Sequence, residues 1–217
     1  VDLTPDTEKI FAAFRPNARN LIRKAEKLGV EVRTVERERW AEVFRTELFP
    51  IMQETAARDG FSSFDSAFYE TLLTELGDHL RLMVAYVEGK PVSWLLTTEY
   101  RGYAVYYFAA SSRDARKTNA PYLLLWDAFK VLKAAGNTAC GLTGIESENY
   151  PSLANVTTFK RNFSKTVVTV PTTYDIPLSP LRYRALAAAL RLRREAPGLL
   201  RSARSRLKRG RPGAGGD

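Results

Sequence analysis

A single cysteine, Cys140, and a single histidine, His79, limit the chemistry open to this 217-residue chain. One thiol makes no internal disulfide, one thiol with one imidazole makes no zinc cluster, and a Ser-His-Asp triad would have to use His79 itself. Cys140 stands between Ala139 and Gly141 in a strand-like run, where a thiol is expected to be buried and inert. His79 falls at a helix-to-strand corner. Catalysis has to rest on other groups.

Charge is the second chemical signal, and it is unevenly placed. Residues 180–217 hold eleven Lys and Arg against Glu195 and Asp217, a net of +9, while the preceding 179 residues hold 22 basic and 22 acidic side chains. The excess belongs to the tail, and it suits either the phosphates of an RNA or anionic lipid headgroups. Nearer the start, Arg19, Arg23, Lys24 and Lys27 share one helix face opposite Leu21, Ile22, Ala25 and Leu28. That face reads either as a solvated surface or as an anion-binding edge. No run of eighteen apolar residues and no charged-then-apolar leader is seen, so the expected compartment is the cytoplasm, with peripheral contact at the inner membrane face as the tail's second reading.

The elements that must position a site centre on one unit. Val105, Tyr106, Tyr107 and Phe108 are too short and too apolar for anything but a buried strand. Asn119-Ala120-Pro121 then reads as a helix start, with the Asn119 side chain accepting from first-turn amides, and Gly136 as the stop. A second strand over 138–145 ends in the small residues Gly141, Thr143 and Gly144, and such β-α-β ends are where ligands collect. Around this unit the patterning predicts helices over 4–14 and 16–28 and an edge strand over 30–35. Helices over 38–58 and 63–76 follow, the second capped by Ser62 or Ser63. An antiparallel meander over 81–86, 91–99 and 103–110 leads into the unit, and a short helix over 155–163, a strand over 166–170 and a helix over 180–195 close the chain. Residues 1–179 read as one lobe and 180–217 as a basic helix and tail; the opening Val-Asp-Leu reads as the last residues of a strand in a longer protein.

This element order resembles the GNAT type of N-acyltransferase, an α+β fold with a mixed, mostly antiparallel sheet and flanking helices, here followed by a basic C-terminal helix. Acetyl-CoA-dependent members carry an R-x-x-G-x-G/A turn whose amides hold the pyrophosphate. The corresponding stretch, Ser111-Ser112-Arg113-Asp114-Ala115-Arg116-Lys117-Thr118-Asn119-Ala120, has no glycine. In detail the chain resembles the Fem-type (FemABX) aminoacyltransferases. The matching stretches are Asn20-Leu21-Ile22-Arg23-Lys24-Ala25-Glu26-Lys27-Leu28-Gly29-Val30-Glu31-Val32, Tyr106-Tyr107-Phe108-Ala109-Ala110-Ser111-Ser112, Asn119-Ala120-Pro121-Tyr122-Leu123-Leu124-Leu125-Trp126 and Thr158-Phe159-Lys160-Arg161-Asn162-Phe163.

The resemblance implies the C-terminal lobe of a two-lobed enzyme that moves an amino acid from aminoacyl-tRNA to an amine, most often on a peptidoglycan precursor, with no cofactor beyond the tRNA co-substrate and no metal. It implies Lys160 as the positive charge at the reacting ester with Phe159 beside it, and Tyr106, Ser111, Asn119 and Tyr69 as substrate contacts. Arg23, Lys24, Arg113, Arg116 and Lys117 would then meet tRNA or other phosphates. One position departs from the family: Asp65 stands four residues before Tyr69, where a basic residue often holds the precursor's phosphate. Two other readings stay open: an acyl-CoA-dependent N-acyltransferase that uses Arg113, Arg116 and Lys117 as point charges, and a non-catalytic protein that binds RNA or a membrane surface.

Overall fold

Two tight turns and a period-two pattern build the frame. Glu88-Gly89 and Arg101-Gly102 are two-residue loops with positive φ at both positions (50° and 75°, 49° and 78°), the geometry that joins twisted antiparallel strands. They connect β2 (Leu80–Val87), β3 (Lys90–Tyr100) and β4 (Tyr103–Ser111), and β1 (Glu31–Thr34) adds to the β2 edge. A short β5 (Ala139–Gly141) runs parallel to β4, which gives a five-stranded sheet in the order β1-β2-β3-β4-β5. The computed structural model describes residues 1–148, 150–170 and 175–190, and it falls into two units, residues 1–167 and 168–217.

Side chains alternate across the sheet, and each face is covered. Met83, Ala85 and Leu95 point into a core with α1 (Thr7–Ala13), α2 (Pro16–Lys27) and α7 (Ala120–Ala134), which bury Ile10, Phe14, Ile22, Leu124 and Phe129 there. Leu82, Val84, Trp94 and Leu96 point the other way, onto Phe44, Leu48, Met52, Tyr69 and Leu73. Phe44 and Leu48 come from the segment between α3 (Trp40–Val43) and α4 (Phe49–Asp59), Met52 from α4, and Tyr69 and Leu73 from α5 (Ser66–Leu76), while α3 adds Trp40 and Val43. Trp94 also donates from Nε1 to the Leu48 carbonyl at 2.9 Å. The fold is the expected α+β arrangement.

Four expectations change. The helix over 38–58 widens into a π-helical stretch over Phe44–Leu48 that ends two residues before Pro50, which has no N–H to donate and whose ring crowds the carbonyl four residues back, inside the stretch. The next helix starts three residues late, because Asp65 and not Ser62 or Ser63 is the cap: its Oδ1 accepts from the Phe68 amide at 2.9 Å. The strand over 138–145 is cut to three residues. Residues 166–170 form no strand, and Val167, Val168 and Val170 are exposed. Val1 to Leu3 do pair with β5 as the opening residues suggested, with Cys140 N–H donating to Val1 at 2.9 Å and Leu3 N–H to Thr138 at 2.8 Å. In the second unit, residues 180–190 are helical, and the rest of the helix expected to 195 lies outside the described residues.

Candidate functional site

The site forms where β4 and β5 part. They pair only from Tyr103 to Val105, and beyond that point β4 runs on to Ser111 while the chain after Gly141 leaves the sheet. Tyr107 is an extra residue in β4, because Leu96 pairs with Phe108 and Thr97 with Tyr106. Such a bulge shifts the alternation by one, so Tyr106 joins the core under α7 and Phe108 the opposite core.

Lys160, the last residue of α8 (Ala154–Lys160), is brought to this opening by a pinned loop. Thr157 accepts from the Glu146 amide at 2.6 Å and donates to the Leu153 carbonyl at 2.9 Å, which ties the loop after β5 to α8. Thr143 in that loop has φ = 62°, a left-handed conformation that a β-branched residue adopts only under constraint. The constraint is visible: its hydroxyl donates to the Leu142 carbonyl at 2.6 Å and accepts from Lys160 Nζ at 3.1 Å. Lys160 Nζ also donates to the Gly144 carbonyl at 2.6 Å and lies 5.7 Å from the centre of the Tyr106 ring.

Lys160 is 6% exposed, and no carboxylate pairs with it among the described residues. Loss of water pushes its ammonium down to about 8 from the ordinary lysine value. An ammonium has three protons, and two are taken by Thr143 and Gly144. The third can meet charge that develops on a bound carbonyl oxygen. Burial pushes the Tyr106 phenol up, so that ring stays neutral.

Of the residues singled out in the sequence, Lys160, Phe159 and Tyr106 come together. Phe159 and Tyr106 line a small pocket with Ser93, Ala109, Pro121 and Leu124, and the Phe159 ring stands 5.0 Å from Tyr122. Asn119 is a hinge and not a side-chain cap: it has φ = 59° between α6 (Arg113–Thr118) and α7, its side chain makes no cap bond, and its main-chain carbonyl accepts from Tyr122 at 3.0 Å. Ser111 ends β4 and fastens it to α4, its carbonyl accepting from Arg58 at 2.6 Å and its amide donating to Thr55 Oγ1 at 3.0 Å. Tyr69 lies in the opposite core, 1% exposed and packed on Phe44 and Phe108, so the sheet separates it from Lys160.

The cationic candidates divide likewise. The glycine-free stretch is helix α6, and carboxylates meet its groups: the Arg113 amide donates to Glu54 Oε1 at 3.0 Å, Arg116 stands 3.7 Å from Asp59, and Lys117 2.8 Å from Asp114. Arg23 lies over Phe11 at 5.3 Å in a separate groove with Glu8, Glu26 and Trp126, and Lys24 is exposed on the same helix. Cys140 is buried and pushed up to about 11, as an inert thiol should be. Thr157 and Glu54 act in the site or beside it without having been singled out for it, and Thr143 was named only as part of the strand end. For Thr143 alone there was a signal, a threonine between Gly141 and Gly144 at a strand end.

No curated protein matches the sequence. Among solved structures, FemX is similar to the chain with a TM-score of 0.64 at 14% identity, over 75% of this chain and 57% of FemX. The C-terminal domain of an Agrobacterium fabrum protein named a lysylphosphatidylglycerol synthetase gives 0.57 at 16% identity, over 75% of this chain and 54% of that one. An aminoglycoside acetyltransferase from an uncultured soil metagenomic sample, in complex with sisomicin, gives 0.51 at 14% identity, over 71% and 99%. The chain thus spans little more than half of the first two, and at these identities the likeness is one of fold alone. A family model described as an acetyltransferase (GNAT) domain matches residues 12–151, well over half of the chain, and the protein belongs to that acyltransferase family.

Proposed function

We propose that residues 1–179 are the transfer lobe of an aminoacyltransferase that moves an amino acid from aminoacyl-tRNA to an amine acceptor, with a peptidoglycan precursor as the acceptor class. The observation that carries this reading is Lys160, a buried ammonium with two protons held by Thr143 and Gly144 and no carboxylate beside it among the described residues, at the mouth between β4 and β5.

Aminolysis of an ester asks for little else. The amine nitrogen attacks the carbonyl carbon, the carbonyl oxygen becomes an oxyanion, and the carbon–oxygen bond to the ribose then breaks as a proton passes from nitrogen to the leaving oxygen. Lys160 opposes the oxyanion's charge. Tyr106 and Phe159 exclude water from one side of the reacting group, which strengthens that interaction. No thiol, imidazole or metal enters any step.

Two further features favour an ester donor over a CoA thioester. The stretch where acetyl-CoA enzymes present free amides is a helix here, and the Glu54 carboxylate already accepts from the Arg113 amide, so a pyrophosphate would face a negative charge. The first two structural neighbours are named FemX and a lysylphosphatidylglycerol synthetase, which fits an aminoacyl donor. Titration calorimetry with a non-hydrolysable aminoacyl acceptor-stem analogue, and separately with acetyl-CoA, tests the reading. Saturable binding of the analogue and none of acetyl-CoA is expected; the reverse pattern would replace the aminoacyl donor with an acyl-CoA.

A further inference from the structure

The described residues of the second unit present apolar side chains to water. Over residues 180–190 the helix has three leucines, a tyrosine and four alanines, with Arg182 and Arg184 as its charged residues. Tyr183, Leu186 and Leu190 share one face at helical spacing, and Leu181 lies on another. Leu181 is 82% exposed and Leu186 59%, and in the approach to the helix Ile176 is 85% and Leu178 99% exposed. A helix apolar around most of its circumference is ordinarily covered by protein or by lipid.

Charge decides between the possible covers. A second copy of the chain would bring another net +9 against the +9 of residues 180–217, and the two would repel. An RNA would meet the arginines and leave the leucines in water. An anionic bilayer interface satisfies both: the leucines enter the boundary between headgroups and acyl chains, Tyr183, whose hydroxyl donates to Asp175 Oδ2 at 2.6 Å, stays at the headgroup level, and Arg182 and Arg184 extend along their apolar stems to the phosphates. We infer that residues 176–190 are an interfacial anchor that lays the chain on an anionic lipid surface.

The inference is independent of the transfer chemistry, because Lys160→Met leaves every anchor residue in place. The test is sedimentation of the whole chain with mixed phosphatidylcholine and phosphatidylglycerol vesicles and with phosphatidylcholine alone, beside a tRNA binding assay. Binding to the mixed vesicles, weakened by salt, is expected, and Lys160→Met should match the parent. Leu181→Gln with Leu186→Gln and Leu190→Gln keeps every charge and good helix formers, so it should lower vesicle binding more than about tenfold while tRNA binding holds. Arg182→Gln with Arg184→Gln should weaken binding to the mixed vesicles as well. If the leucine variant bound mixed vesicles as well as the parent, or the parent bound tRNA and never sedimented with anionic vesicles, the anchor would be wrong.

Discussion

Lys160→Met should lower the rate of transfer about 100- to 1,000-fold while leaving the folded chain as stable as the parent or more so at neutral pH. The loss in rate corresponds to removing one preorganised oxyanion partner, roughly 3 to 4 kcal/mol of transition-state stabilisation. The gain in stability has a different origin, since a buried charge without a carboxylate partner is costly and a methionine of similar volume is not. Burial favours the neutral amine, so between about pH 8 and the ordinary lysine value the unfolded chain holds more protons than the folded one. The parent's stability should therefore rise with pH through that window, and the advantage of the Met variant should be largest below about pH 8. Transfer runs the opposite way: it needs the charged form, so the parent's rate should fall as pH rises through about 8 once the acceptor amine is kept saturating. Thermal melts and rate profiles over the same pH range check both. Equal rates for parent and variant would remove Lys160 from the chemistry.

Tyr69→Ala should have the larger effect on folding, about 3 to 5 kcal/mol, because it empties a fully buried aromatic site between Phe44, Trp94 and Phe108. Its rate per folded molecule should stay near the parent's, since the sheet stands between it and Lys160. Tyr69→Phe separates the two roles: a changed Michaelis constant with an unchanged melting temperature would make Tyr69 a substrate contact, whereas normal kinetics make it core.

Tyr69 also shows where reading the sequence runs out. The sheet was legible, because three strand-like runs over 81–110 and the Gly-containing turns between them leave few other arrangements. The bulge at Tyr107 carries no local signal, and it decides that Tyr106 and Phe108 lie on opposite faces, so that Tyr106 joins Lys160 and Tyr69 does not. The helix over 38–58 was read straight through Pro50, whose missing donor a π-helical stretch and a kink can both answer. Asn119 looked like a cap by residue type and serves as a left-handed hinge, a role that asparagine also fills.

Lys160 was visible only through a family resemblance. Its burial depends on α8 folding back on the loop that precedes it, and on a left-handed backbone at Thr143 that no residue pattern predicts. The missing glycines of 111–120 were plain in the sequence; that Glu54 would accept from the Arg113 amide was not, since the two are brought together by α4.

The measurement closest to the central claim is a single-turnover transfer assay with a labelled acyl group, run on the complete enzyme with aminoacyl-tRNA and with acetyl-CoA as donors and an amine acceptor in excess. Label should pass from aminoacyl-tRNA to the amine, not at all from acetyl-CoA, and the Lys160→Met enzyme should lose the transfer step while binding the donor nearly as tightly. Transfer from acetyl-CoA with none from aminoacyl-tRNA would contradict the account.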